Sequence, residues 1–416
     1  MVKKIITTIV IILFLIAVGL ISYVFYIQYK GQMTSVVETP KKLLGNFFPV
    51  ATSKVATISD NPVGTTSNLT ITNQSSTTVI IENNQISNDL LLNTIANIFS
   101  FKNGSSSTEF FFISKSKGNL YQITSDGNKR LTNTTILGIK EAIVGKVKNN
   151  KYLILRNIEN NQVINSFGLI PIPTSTNMYG ENEINLQTID SSAYDFSPNP
   201  TQDAIFYLTI QGGLAVGYTN TFDFKSPKIV LDTPFSEWVT SWPEKDTIAM
   251  QTKPSANVPG YLYFFSLKNS TNKKILGNVN GLTTLISPGA KKILYSKTSA
   301  GRLELYLYDV AKDTAEKLGI STLPEKCAWI NQDYAYCAVP RTISIGAYPD
   351  IWYQGQIGFT DDLWLINTKD RSARMVMPIK GDYDLINLTT TTNGNTVYAI
   401  NKKDNSFQPF NLPIAI

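Results

Sequence analysis

The chain has 416 residues, 43% of them hydrophobic and only 16% charged, a balance that supports a sizeable core and leaves Asn, Thr and Ser to make much of the surface. Its net charge of +6 is scattered, with no basic stripe interleaved with aromatics, which argues against nucleic-acid binding. With no histidine and two cysteines, Ser-His-Asp and Cys-His catalysis, His-containing zinc sites and Cys₄ sites are excluded, and no metal or cofactor is expected.

The first element is a membrane span. Residues 5–27 run for 23 positions without a charge, about 34 Å as a helix, enough to cross a hydrocarbon core of about 30 Å. A cleaved signal peptide would have a shorter apolar run and small residues at its end. Here the run ends in Tyr23, Phe25 and Tyr26, so an uncleaved signal anchor is expected. Lys3 and Lys4 precede it, which places residues 1–4 in the cytoplasm and everything after the span outside it. The expected localisation is therefore the cell membrane, single-pass, with an extracytoplasmic domain.

Residues 28–90 change character. The stretch from Ala51 to Asn88 is rich in Ser, Thr and Asn, too polar to offset its ordering entropy by burial, and reads as a flexible stalk. Its Thr and Ile content leaves room for local strand structure.

From residue 91 to 416 short β-rich runs alternate with turns. The turns at Ser197-Pro198, Trp242-Pro243 and Ser287-Pro288 recur every 45 residues, and the next interval reaches Gln332. Asn149-Asn150 and Asn103-Gly104 extend the series backwards, and Asn393-Gly394 ends it after an insertion of about 16 residues. An apolar run follows six of the seven turns, Ile205-Phe206-Tyr207-Leu208 among them. Seven turns at this period, with about four strands per repeat, predict an all-β fold, a β-propeller of seven blades, with six as the alternative.

In the fifth repeat, Ser287-Pro288-Gly289 is followed by Lys292-Ile293-Leu294-Tyr295-Ser296 and Leu305-Tyr306-Leu307-Tyr308-Asp309. In the first, Leu120-Tyr121 is followed by Asp126-Gly127 and Arg130-Leu131-Thr132. These segments resemble the TolB-type, WD-like propeller repeat. The resemblance covers roughly residues 95–416 and is good in the first and fifth repeats, partial in the third, fourth and sixth, and weak in the second and seventh. It implies the fold and a habit of extracytoplasmic protein binding, and it carries over no catalytic residue. The best-known member of that family has six blades, against seven turns here.

Cys327 and Cys337 flank a hairpin whose loop is Asn331-Gln332-Asp333. With that three-residue loop the two cysteines fall directly opposite on adjacent strands, a geometry a disulfide can bridge. An extracytoplasmic location lets the bridge persist, and the spacing is not that of a CxxC redox pair. A structural disulfide is favoured over two free core thiols.

Propeller sites sit at the ends of the central channel. Numbering the strands of a blade a to d from the channel outwards, the a–b and c–d turns lie on one face and the b–c loops on the other. Two b–c loops are long, 253–259 in the fourth blade and 341–361 in the sixth, and a further insertion, 171–180, falls on a c–d loop of the second. Long loops on a rigid scaffold are the better functional candidates. The sixth-blade loop combines Tyr348, Trp352, Tyr353 and Phe359 with Asp350, Asp361 and Asp362. This set suits a protein hot spot or a sugar platform, or else the aromatics cap the domain's own core.

No catalytic constellation is expected. The residues point to a membrane-anchored binding or scaffolding module whose partner is a protein or an envelope polymer, bound on the b–c face. Two alternatives stay open: a carbohydrate-active enzyme using the loop carboxylates, and a structural component of an envelope or secretion assembly.

Overall fold

A computed structural model describes residues 95–103, 107–172 and 182–412. The expected membrane span, 5–27, and the stalk, 28–90, lie outside the described residues, as does most of the 171–180 insertion.

Seven sheets follow one another along the chain. Blade 1 is β1 (Ile95–Asn103), β2 (Ser107–Ser114), β3 (Leu120–Thr124) and β4 (Gly127–Arg130). Blade 2 is β5 (Ile139–Val147), β6 (Asn150–Glu159), β7 (Gln162–Leu169) and β8 (Gln187–Thr188). Blade 3 is β9 (Tyr194–Pro198), β10 (Ala204–Gln211), β11 (Leu214–Thr221) and β12 (Lys228–Thr233). Blade 4 is β13 (Trp238–Glu244), β14 (Thr247–Thr252), β15 (Pro259–Ser266) and β16 (Thr271–Asn280). Blade 5 is β17 (Thr284–Ile286), β18 (Lys292–Ser299), β19 (Arg302–Asp309) and β20 (Thr314–Lys317). Blade 6 is β21 (Cys327–Trp329), β22 (Tyr334–Pro340), β23 (Asp361–Asn367) and β24 (Ser372–Met377). Blade 7 is β25 (Leu385–Thr390), β26 (Thr396–Asn401) and β27 (Phe407–Asn411). Every pairing within a blade is antiparallel, as short turns dictate. Seven blades are present, so the six-blade alternative falls away.

The apolar runs have a physical reason. A second strand has a neighbouring blade on each side, so both of its faces need apolar residues. In β10, Phe206 and Leu208 pack with Trp238, Trp242, Ile248 and Met250 of blade 4. The alternate residues Ile205 and Tyr207 pack with Ile154 and Phe167 of blade 2. Each such side chain gains about 1.5–3 kcal/mol on burial, and successive blades are joined by a continuous apolar layer. The ring closes the same way. Ile95, Ile98, Phe110 and Phe112 of blade 1 pack against Tyr398, Ile400 and Phe407 of blade 7. First strands of successive blades touch around the centre, as in β1 with β5, β9 with β13, β21 with β25, and β25 with β1, and together they line the channel.

The cysteine register is as the hairpin demanded. Cys327 pairs with Cys337, Ala328 with Tyr336 and Trp329 with Ala335, and a disulfide joins the two cysteines.

Candidate functional site

First strands begin at the b–c face, so residues at their starts gather around one mouth of the channel. Glu141 is third in β5 and Asp195 second in β9, while Lys326 and Asp384 immediately precede β21 and β25. Asp361, which opens β23, enters from the same side because third strands also start there. The long loops meet at this mouth: the backbone N–H of Ala256 in the fourth blade donates to Asp350 Oδ2 in the sixth at 2.6 Å.

The 341–360 loop is a plug. Tyr348 is 0% and Trp352 3% exposed, and both pack with Phe359, Leu303 and Leu323 in a small core of their own. A one-turn helix, α1 (Asp350–Tyr353), delivers Trp352 to that core. The loop is fastened to several blades. Thr298 Oγ1 of blade 5 donates to the Tyr348 carbonyl at 2.7 Å. Gly281, ahead of blade 5, must be glycine there: its φ is +68°, and a Cβ would fall 2.6 Å from the same carbonyl oxygen. Trp352 Nε1 donates to Asp384 Oδ2 at 2.8 Å, and Lys402 Nζ donates to the Trp352 carbonyl at 2.7 Å from blade 7. Lys402 Nζ also stands 4.6 Å from the Trp352 ring centroid, a cation–π contact. Burial holds the Lys402 amine below its ordinary value.

Beneath the plug lies a buried charge cluster. Lys326, wholly enclosed, donates to Asp361 Oδ2 at 2.7 Å, to Asp384 Oδ1, and to the Leu385 carbonyl at 3.0 Å. Asp384 Oδ2 also accepts from the Phe359 N–H at 3.1 Å, and Asp361 Oδ2 from the Leu385 N–H at 2.7 Å. Burial raises the Asp361 carboxyl, and Lys326 opposes that rise without cancelling it. Asp362 points elsewhere, forked by Arg341 Nε and Nη2 at 2.9–3.2 Å. Burial acts to raise Asp362, but the Arg341 bonds outweigh it and the group sits low. Tyr353 donates to Glu325, which also accepts from Thr283 Oγ1 at 2.9 Å. Burial raises both Glu325 and Tyr353.

The sequence left this loop open between an exposed platform and a cap on the domain's own core. Of the seven candidate residues, Tyr348, Trp352, Phe359, Asp361 and Asp362 are buried, and Asp350 and Tyr353 are partly covered. The structure has the cap: the aromatics pack into the domain's own core and do not form an exposed platform. Its carboxylates are engaged as well: Asp361 with Lys326, Asp362 with Arg341, Asp350 with a backbone N–H.

Across the channel mouth, blades 2 to 4 carry a second ionisable group. Asp195 Oδ2 accepts from the Thr240 N–H at 2.6 Å. Burial pushes the Asp195 carboxyl up to about 7; the Thr240 hydroxyl acts against that, nearby Glu141 adds to it, and Arg156 partly offsets it. Burial also raises Glu141, which faces Arg156 Nη1 at 3.4 Å and keeps about a third of its side chain open. None of these residues stood out in the sequence, since lone Asp and Glu in strands carry no pattern. Among the described residues no group of three or more Cys, Asp or Glu is arranged to hold a metal.

Among what this face exposes are large apolar side chains. Phe235 (64%), Val258 (62%) and Ile345 (73%) stand out on connections or b–c loops of this face, as do Leu137 and the hairpin-tip residues Ile210 and Leu214.

No family model matches the sequence, and no curated protein matches it. Among solved structures, the chain is similar to oligogalacturonate lyase from Vibrio parahaemolyticus at 10% identity, over 76% of this chain and 96% of that one, with a TM-score of 0.47. It is similar to the β-propeller domain of the Trilobed protease from Pyrococcus furiosus at 10% identity, over 63% and 76%, TM-score 0.41. It is similar to TolB from Acinetobacter baumannii at 13% identity, over 76% and 79%, TM-score 0.40. Likeness at this level carries no argument about function. The chain is a seven-bladed β-propeller whose function has to be argued from its own residues.

Proposed function

We propose that the protein is a binding or scaffolding module, tethered to a membrane through residues 5–27, that engages a protein or envelope-polymer partner with its b–c face. The observation that supports this most is the set of large apolar side chains on the rim of that face, Phe235, Val258 and Ile345 foremost. They stand on loops anchored to a rigid scaffold, the arrangement a protein hot spot uses. The plug supports the reading from below, because it fixes the 341–360 loop to its neighbours and ties up the carboxylates that loop could offer to catalysis.

The test is in-cell photo-crosslinking from Ile345 and Val258, with Lys312 on a c–d turn of the opposite face as control. One discrete adduct shared by Ile345 and Val258 and absent from Lys312 is expected. No adduct from either rim position would remove the assignment.

One observation favours a second reading, a carbohydrate-active enzyme. Burial pushes the Asp195 carboxyl up to about 7, with Glu141 acting on it electrostatically at the same mouth, and a carboxyl raised towards neutrality near a second carboxyl is equipment that glycoside cleavage uses. Cleavage of an envelope glycan by the wild type that is lost in Asp195→Asn while rim crosslinking is unchanged would favour this second reading over the first.

A further inference from the structure

The connection between blades 1 and 2 sets an exposed leucine among three lysines. Leu137, 63% exposed, stands on this connection at the b–c face. It does not hang from a loose loop. Ile136 N donates to the Lys117 carbonyl in the b–c turn of blade 1, and Ile158 N in β6 of blade 2 donates to the Gly138 carbonyl, each at 3.0 Å. Asn119 Nδ2 donates to the Thr134 carbonyl at 3.1 Å. A Cβ on Gly118 would fall 2.1 Å from the Ile136 carbonyl oxygen, and one on Gly138 2.3 Å from that of Ile158. The connection is therefore pressed onto both blades at points where only glycine fits. A leucine held out by a backbone so fixed is a preorganised anchor, with little left to order when it binds.

The same contacts place the charges. Lys115 and Lys117 stand exposed in the b–c turn that receives Ile136. Lys140 is the extra residue of a β-bulge: Ile139 pairs with Asn157 and Glu141 with Arg156, which leaves Lys140 with no residue opposite it. A bulge re-aims a side chain, and Lys140 lies close enough to Lys115 to act on it. Burial first, and the Lys140 charge second, hold the Lys115 amine below its ordinary value. Among the described residues no ion pair joins Lys115, Lys117 or Lys140 to an acid; Glu141, beside Lys140 in sequence, faces Arg156. Like charges left together in this way are relieved by an arriving anion.

Leucine and lysines together narrow the occupant. A purely anionic polymer offers Leu137 no apolar contact. An anionic bilayer offers one, but a flat surface resting on this face would also press on Glu159, Asp190 and Glu237, which are exposed there. A protein segment can seat itself on the patch and avoid those acids.

We propose that the partner of the b–c face is a protein that lays an acidic segment on this patch, with carboxylates among Lys115, Lys117 and Lys140 and an apolar side chain on Leu137. The proposal rests on the reading of that face as a binding surface and adds the chemistry of what it binds.

A photo-crosslinking residue in place of Leu137, in the full chain in cells, tests this, with the adduct mapped by mass spectrometry to a peptide of the partner. An acidic peptide is expected. Lys115→Glu, Lys117→Glu and Lys140→Glu together should lower the adduct at least about tenfold, and changing the same three lysines to arginine should keep it. A neutral or basic peptide, a lipid adduct, a second copy of this chain, or an adduct indifferent to charge reversal overturns the proposal. So does silence at Leu137 where Ile345 and Val258 give their shared adduct, a result that leaves the binding face itself standing. Silence at all three positions removes both.

Discussion

Asp195→Asn gives the sharpest reading of the channel mouth. In the native protein this carboxyl titrates at about 7 instead of its ordinary 3.8. Between those values the folded chain holds a proton that the unfolded chain releases, so stability is full at low pH and is lost as pH rises through about 7. A shift of three units at about 1.36 kcal/mol each sets a ceiling near 4 kcal/mol. Channel water screens part of it, so about 2–4 kcal/mol is expected. Asparagine is neutral at every pH and its carbonyl can still accept from the Thr240 N–H. It also tolerates the backbone here, where φ is +55°. The variant should match the wild type at pH 3, below the ordinary carboxyl value of 3.8, and exceed its stability by those ~2–4 kcal/mol at pH 8. Urea unfolding followed by tryptophan fluorescence at both pH values measures the difference. Carboxylates held low by partners, Asp309 and Asp362 among them, give the wild type an opposite pH trend of their own, and comparing the two proteins cancels it. A variant no more stable than the wild type at pH 8, or equally stabilised at both values, would show that Asp195 is not held protonated by its surroundings.

Two further outcomes follow from the same structure. Lys326→Met leaves Asp361 and Asp384 buried without their cation and should cost about 3–5 kcal/mol, while adding Asp361→Asn and Asp384→Asn should recover most of it; chemical denaturation of the single and triple variants checks this. Replacing Cys327 and Cys337 by serine opens a bridge across a sequence separation of 10 and should cost about 2–3 kcal/mol, and a reductant should lower the melting temperature of the wild type but leave the variant unmoved.

The fold was legible because its signals are local and repeat. Turn residues such as Asn103, Asn149 and Asn393 fall at the β1–β2, β5–β6 and β25–β26 junctions. Apolar runs such as 205–208 mark strands that need both faces covered. The disulfide register was legible for the same reason, since a hairpin fixes its pairing from its loop alone. That blade 7 has three strands among the described residues was not, because a period counts turns and cannot count strands at the end of a series.

The plug shows where such reading stops. Trp352 in a long insertion fits an exposed anchor and a buried cap equally well, because its own neighbours in sequence do not decide between them. Its partners decide. Asp384 receives the indole N–H from 32 positions downstream, and Lys402 reaches the Trp352 carbonyl from 50. Asp384 in turn is held by Lys326, 58 positions before it. Each partner looks like an ordinary polar residue at the entry or exit of a strand, and only the packing of blade 7 against blade 6 brings them together. Once it does, a tryptophan left in water would forfeit both its apolar burial and its bond to Asp384 Oδ2, which would keep only the Phe359 N–H. The aromatic loop therefore folds inwards, and the rim residues that find no such partners, Ile345 and Val258, are the ones left facing out.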